Sequence, residues 1–463
     1  MRLPVYGSDR QPRIPSSLRN IPGIMLNTVL CVDVGSTWTK AALVAGDGRL
    51  LGTAQHATTP PEVLDGVAAV TDSLHAAESE VLVCSSAGGG LRLAVVGHER
   101  LISAEAAHRV ALSAGAKVVH VAAGELDGSG VRELRAAAPD VVLLVGGTDG
   151  GDEKVLLHNA KRLAANRITP PVVLAGNVAV REEAHAVLAA TGRRVVPTGN
   201  VLPDVGELAP APARAAIREV FLRHVIGGKG LSKGTRFLRL VRTVTPDAVL
   251  SGVGRLAKVL AAQEESAGAV LVVDVGGATT DVYSAVSTVD DDTPATAVAL
   301  PPDRRTVEGD IGMRWSAQGI VAEARTEKLI TAEEAAVLAE PARLRAEQVD
   351  LIPSTVDESE VDTRLAALAA VLAVRRHLRL IGGWLGPRGA GLAVLSGGVF
   401  RHAGPDALAT VEATLRADPV LRPVLRAAAI TVDRDYVLAP AGLLADTSRE
   451  STADALLATH LTR

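Results

Sequence analysis

Val273-Asp274-Val275-Gly276-Gly277-Ala278-Thr279-Thr280-Asp281 reads as an apolar strand delivering an aspartate, a glycine turn, and a return strand opened by hydroxyl residues. Cys31-Val32-Asp33-Val34-Gly35-Ser36-Thr37 repeats the design near the start of the chain. Glycine suits such turns because a Cβ would keep backbone N–H groups away from phosphate oxygens. The hydroxyls add donors. The aspartates suit hydrated Mg²⁺, which keeps several waters and takes one or two carboxylates. One Asp-x-Gly turn is an ordinary hairpin connector. Two of them, each after a buried strand and in separate halves, predict hairpins that grip a nucleotide tail from both sides.

A third segment fits the same ligand. Ala393-Val394-Leu395-Ser396-Gly397-Gly398-Val399 is a strand ending in paired glycines, against which a flat base could lie. The same pattern also serves a plain glycine-punctuated turn.

Between the hairpins, apolar runs at Val81–Val83, Val118–Val121, Val141–Val145, Val172–Leu174 and Val195–Pro197 each lead into glycine and alternate with Ala-rich helical stretches. That alternation predicts βαβ units on a parallel sheet, hence an α/β fold. Aromatic residues make up only 2% of the chain, so the core must be Val, Leu, Ile and Ala, as in sheets covered on both faces. At 463 residues the chain is too long for a single core.

A net charge of −4 gives no case for nucleic acid or an anionic membrane as partner. The two cysteines, Cys31 and Cys84, exclude a disulfide framework and Cys-rich metal sites within one chain; both read as buried thiols. With no long apolar run and no signal-peptide core, a cytoplasmic location is expected. Residues 1–27 read as a disordered extension, with Met25 an alternative start.

The order of phosphate hairpin, second phosphate hairpin and Ser-Gly-Gly loop resembles the actin/heat-shock-chaperone/sugar-kinase ATPase superfamily. Asp33–Lys40, Cys84–Arg92, Leu144–Asp152, Leu174–Asn177, Asp274–Asp281, Glu308–Arg314 and Leu395–Gly398 look, more narrowly, like the glutamate mutase L family. Nothing in the chain resembles the ATP-binding motifs of the similarly abbreviated DNA mismatch-repair ATPase. The resemblance implies two actin-like (ribonuclease H-like) ATPase domains around a nucleotide cleft, with an enlarged βα-rich first half. Domain I would span 28–245 with an insertion at about 81–205, and domain II 246–440. A C-terminal helix at 441–463 would pack back on domain I.

By the same resemblance, ATP and Mg²⁺ are the cofactors. Asp33 and Asp274 would hold the metal through water, either one able to orient the attacking water. Gly35, Ser36 and Thr37 would line one side of the phosphates, and Gly276, Gly277, Thr279 and Thr280 the other. Gly397 and Gly398 would contact adenosine. Lys40 either reaches a phosphate or faces solvent, and Asp281 either supports the site or merely opens the next strand. The family loops at Cys84–Gly90 and Gly146–Asp152 keep two readings each. Asp149 and Asp152 are ligand-binding or helix-capping, and Gly88-Gly89-Gly90 is an anion site at a helix N-terminus or a turn.

Family members accompany adenosylcobalamin-dependent mutases as ATP-dependent reactivating factors, so the implied protein partner is such a mutase; a homodimer stays open. Two alternatives remain: a small-molecule kinase of the same fold, with Asp149 the visible base, and a scaffold that binds ATP without significant turnover.

Overall fold

The computed structural model describes residues 27–462 except 36, 88–90, 99–106, 108–109, 111–115, 206, 222–230, 233–234, 264–267, 287–302, 384 and 386–387. The expected N-terminal extension and Gly88-Gly89-Gly90 lie outside them, apart from Asn27.

β1 (Thr28–Val34) is buried along its whole length, as the apolar run Val29–Val32 favours, and it takes Asp33 into the interior with it. It pairs antiparallel with β2 (Trp38–Ala45), which pairs antiparallel with β3 (Leu50–Ala57). On its other side β1 runs parallel to β4 (Glu80–Ser85), and β4 runs parallel to β10 (Val241–Val244). The sheet order is β10-β4-β1-β2-β3.

A second sheet repeats this plan. β11 (Ala269–Val275), β12 (Thr280–Ala285) and β13 (Asp303–Glu308) form the antiparallel meander. β14 (Ala390–Ser396) and β15 (Ala429–Val432) add in parallel beyond β11, giving β13-β12-β11-β14-β15. A three-strand meander extended by two parallel strands is the ribonuclease H-like order, present twice. The α/β, actin-like fold follows from these two sheets.

The third sheet is parallel throughout. It holds β5 (Arg92–Gly97), β6 (Lys117–Ala123), β7 (Val141–Leu144), β8 (Val172–Leu174) and β9 (Val195–Pro197), in the order β6-β5-β7-β8-β9. Two sequence expectations change here. Val81–Val83 lies in β4 of the first sheet, and an interior strand of the third, between β6 and β7, is Arg92–Gly97, where one of two readings had a helix start. The run Leu93-Ala94-Val95-Val96 is fully buried and ends in two β-branched valines, which favours a strand whatever glycines precede it.

The chain divides into two compact units, one within 1–89, 226–259 and 435–463, the other within 90–225 and 260–434. The break expected at 245/246 therefore falls inside the first unit. There the helix Thr245–Gln263 meets the helix Leu438–Ala445 backbone to backbone: a Cβ on Gly252 would lie 2.1 Å from Leu438 O, and one on Gly442 1.8 Å from Ala248 O. Leu438–Ala445 packs on β1 and β4. The single closing helix expected at 441–463 is two helices, Leu438–Ala445 and Glu450–Leu461, parted by a bend where Ser448 takes φ 60°.

In the second unit the helix Val356–Leu380 packs on β11 and β12, burying an Ala/Leu/Val face. It begins with a reciprocal capping box between Thr355 and Glu358. No described helix is long and apolar enough to cross a membrane.

Candidate functional site

The two hairpins are built alike. In the first, Asp33 faces Lys40 and Val34 faces Thr39. Gly35 N donates to Trp38 O at 3.0 Å, closing the turn. A Cβ on Gly35 would stand 2.8 Å from that carbonyl, so the turn itself demands glycine. Thr58 braces it, donating its hydroxyl to Gly35 O at 2.9 Å and its N–H to Thr37 O at 2.9 Å. Thr37 is exposed at the tip; Ser36 lies outside the described residues.

In the second, Asp274 faces Asp281 and Val275 faces Thr280. Gly276 N donates to Thr279 O at 2.9 Å, and a Cβ on Gly276 would stand 2.9 Å from the same oxygen. The turn is braced by the segment that follows β13: Met313 N donates to Gly276 O, and Arg314 N and Trp315 N to Gly277 O, at 2.9, 2.8 and 3.1 Å. A Cβ on Gly312 would lie 2.4 Å from the Ala278 carbonyl carbon, so this brace needs its glycine. The family segment Glu308–Arg314 thus buttresses a turn, while Glu308 and Asp310 pair with Arg376 at 2.7 and 2.9 Å. Burial raises the Glu308 pKa against that arginine's pull.

Asp33 is only 4% exposed, yet its carboxylate is well supplied with donors. It accepts hydrogen bonds from the Tyr436 hydroxyl at 2.5 Å, from the Thr245 hydroxyl, and from the Cys84 thiol at 3.6 Å. Burial first, then the Asp33 charge, pushes the Cys84 thiol well above its ordinary pKa, so it is a donor and not a thiolate. Burial likewise pushes Cys31 up to about 12. Lys40 is half-buried, its Nζ 4.0 Å from the centroid of the Tyr436 ring. It is held over an aromatic face, not spread into solvent.

Asp281 is buried and accepts from Arg305 Nε at 3.0 Å and Nη2 at 2.5 Å, and from the Thr279 hydroxyl at 3.1 Å. It therefore supports the turn. Thr280 is fully buried and its hydroxyl has no protein partner, which closes direct ligand contact to it in this state. Its counterpart Thr39 is equally buried, with its hydroxyl 3.2 Å from that of Thr58.

β14 runs beside β11 with Ser396 paired to Asp274. Gly397 has φ 112°, and a Cβ there would strike Val275 O at 2.3 Å. A Cβ on Gly398 would meet nothing within 4 Å, and one on Gly277 only Arg314 side-chain carbons at 3.8 Å and beyond. Open space over these two glycines, beside aspartates at strand ends, fits a nucleotide phosphate with hydrated Mg²⁺.

The loop Gly146–Asp152, by contrast, spends its polar groups on itself. Asn177 Nδ2 donates to Gly151 O and Asp152 O, and its Oδ1 accepts from Gly150 N. Asn200 Nδ2 donates to Gly147 O and to Asp149 Oδ1, which also takes Val178 N. Asp152 accepts Val155 N in the first turn of the helix Lys154–Ala165, and lies 3.6 Å from His98 Nε2. Capping is what both aspartates do. Gly88-Gly89-Gly90 lie outside the described residues; the element that begins after them, at Arg92, is the strand β5.

The family model described as MutL protein matches residues 29–461. The chain belongs to the MutL family, of the glutamate mutase L type. Protein MutL of Clostridium tetanomorphum is 34% identical over 451 residues, covering 91% of this chain and 96% of that one. Among solved structures, a nucleotide-free acetone carboxylase gives a TM-score of 0.33 at 14% identity, over 81% of this chain and 66% of that one. A ROK-family glucokinase from Streptomyces griseus, in complex with glucose and AMPPNP, gives 0.32 at 14% identity over 92% and 98%. At such scores these likenesses add nothing to what the sheet orders establish. Tyr436, Thr245, Thr58 and Trp315 support the two hairpins without having been marked in the sequence, whereas Gly312, Met313 and Arg314 belong to the family segment already named. Tyr436 stands 403 residues from Asp33 and belongs to no motif.

Proposed function

We propose that this family member is an ATP-dependent reactivating factor for an adenosylcobalamin-dependent mutase. One observation carries the nucleotide part. Two sheets of the same strand order each end their central strand on an aspartate, followed by a glycine turn closed by the same backbone bond. Family membership supports a mutase as the partner.

In this reading Asp33 and Asp274 hold hydrated Mg²⁺, and the backbone at Gly35–Thr37 and Gly276–Thr279 cradles phosphate. Lys40 supplies a cation; in the loop assigned to adenosine, Gly397 makes the turn against Val275 and Gly398 leaves the room. Bound Mg²⁺ would offset phosphate charge and fix the oxygens it touches. The protein's own work is to orient: the hydroxyls of Tyr436 and Thr245 fix the Asp33 carboxylate, and Arg305 through Asp281 fixes Thr279. A nucleotide engaging both hairpins favours one conformation of the chain, and loss of the γ-phosphate withdraws that preference.

A kinase would need a base to deprotonate an acceptor hydroxyl. Asp149 is poorly placed to be one, since its Oδ1 is already occupied by Val178 N and Asn200 Nδ2.

The test is purified protein with ATP, Mg²⁺ and an inactivated mutase. Restored mutase turnover, lost in Asp33→Ala and Asp274→Ala, is expected. Unrestored turnover together with phosphorylation of a metabolite would replace this reading with the kinase. ATP binding without hydrolysis, unchanged by Asp274→Ala, would sink the hydrolysis assignment.

A further inference from the structure

Tyr436 unites three features found together nowhere else among the described residues. Its hydroxyl donates to Asp33 Oδ2 at 2.5 Å, and its ring carries the ammonium of Lys40 at 4.0 Å. Its backbone is left-handed, with φ 57°, a conformation that L-residues with side chains enter at a cost. It is also the second residue after the chain passes from one compact unit, at Arg434, to the other, at Asp435. Strain of this kind persists only where surrounding contacts over-determine it, and here those contacts are the aspartate and lysine of the first hairpin.

A purely packing role would use the ring and leave the hydroxyl to water. Instead the phenol and the Thr245 hydroxyl take one oxygen each of a carboxylate that is almost wholly buried. A carboxylate has about four acceptor sites. The two hydroxyls, with the weaker Cys84 thiol beside Thr245 on Oδ1, therefore hold its plane and still leave acceptor capacity on Oδ2 for a metal-bound water.

We propose that Tyr436 is the positioning residue of the first hairpin, locking the Asp33 carboxylate and the Lys40 ammonium as a preset pair for a Mg²⁺–nucleotide. The proposal rests on the ATP reading above. Its signature is in the metal and not in the base: without the phenol, Asp33 must be ordered anew whenever metal binds, whereas contacts to adenosine are untouched.

The experiment titrates a fluorescent ATP analogue into wild-type protein, Tyr436→Phe and Thr245→Val, first in EDTA and then across Mg²⁺ concentrations, with melting temperatures alongside. Tyr436→Phe should raise the Mg²⁺ needed for half-maximal tight binding about tenfold, the scale of a lost charge-assisted hydrogen bond. Affinity in EDTA should be unchanged. Thr245→Val should shift the Mg²⁺ requirement in the same direction, and decides the matter should Tyr436→Phe not fold. Lower melting temperatures with an unaltered Mg²⁺ requirement would overturn the positioning role and leave the ATP reading standing. Wild-type protein that binds no nucleotide in either condition would overturn both.

Discussion

Lys40 in β2 and Asp281 in β12 hold the same place in the two hairpins, each directly across from the aspartate that ends the preceding strand. The hairpins are therefore matched in backbone and opposite in charge. In the first, the cross-strand partner is a cation poised over Tyr436; in the second, it is an anion neutralised by the buried Arg305. Only the first hairpin offers a side-chain cation of its own strands to phosphate. Lys40→Met should therefore weaken Mg²⁺–ATP binding about ten- to a hundredfold, the range for a lost hydrogen bond to a charged group, while barely moving the melting temperature. Binding by calorimetry with unchanged affinity would return Lys40 to an ordinary strand residue.

The glycines separate structural need from ligand space. At Gly312 a methyl group would be driven into backbone at 2.4 Å, so Gly312→Ala should destabilise by at least about 1–3 kcal/mol and loosen the second turn. At Gly398, the first residue of the short helix Gly398–Arg401, the same methyl group meets open space. Gly398→Ala should be neutral or stabilise by about 0.4–1 kcal/mol. It should nevertheless lower nucleotide affinity, because the methyl group fills the space assigned to adenosine. A melting curve and a binding isotherm on the same two variants suffice; unaltered affinity in Gly398→Ala would remove adenosine from that loop.

What the sequence made legible was whatever local chemistry specifies. Ala269–Val273 is apolar without interruption and opens the strand Ala269–Val275, and the glycine turns lie where Asp33 and Asp274 announce them. Of the strands that escaped notice, β10, β13 and β15 lie at sheet edges and carry charged or part-exposed positions, so no period marks them, while the interior β5 was masked by the glycine run before it. At the site, Asp33 was plain but its partners were not. Tyr436 and Thr245 reach it only because the C-terminal helix packs on β1 and the helix Thr245–Gln263 packs against that, a relation set by tertiary contact. Asp149 had two chemically equal readings until Asn200 and Val178 were seen to claim its oxygen.

Behind the second hairpin lies a buried charge cluster. Asp362 is 5% exposed and binds both Arg345 and Arg314, the latter Nη2 at 3.0 Å; Arg314 also belongs to the brace on Gly277. Arg345 is 2% exposed and gives its remaining donors to Pro341 O and Glu358 O. Asp362→Ala strands two arginines at once, so a loss of about 3–5 kcal/mol in urea unfolding is expected. Pairing Asp362→Leu with Arg345→Met should cost less than Asp362→Ala alone, since no fully buried charge is then orphaned. A double variant as unstable as the single would mean that the cluster acts through shape and not charge.

His377 gives the fold a pH dependence of definite sign. It is fully buried on the helix Val356–Leu380, with Nε2 2.9 Å from the Ser284 hydroxyl and Nδ1 3.1 Å from that of Thr306. Burial first, and then the nearby Arg304 charge, lowers its pKa to about 3. The folded protein therefore keeps this imidazole neutral between that value and about 6.5, where the unfolded chain binds a proton. More protons on the unfolded state means stability that rises with pH. The contribution is fully present above about 6.5 and is lost as pH falls toward 3, with a slope approaching about 1.4 kcal/mol per pH unit. His377→Gln keeps hydrogen-bonding capacity without a titrating group. It should lower stability at neutral pH and flatten the fall between pH 7 and 4.5 by up to one proton. Urea midpoints at several pH values read this directly, and curves that stay parallel would show that His377 takes up its proton without unfolding.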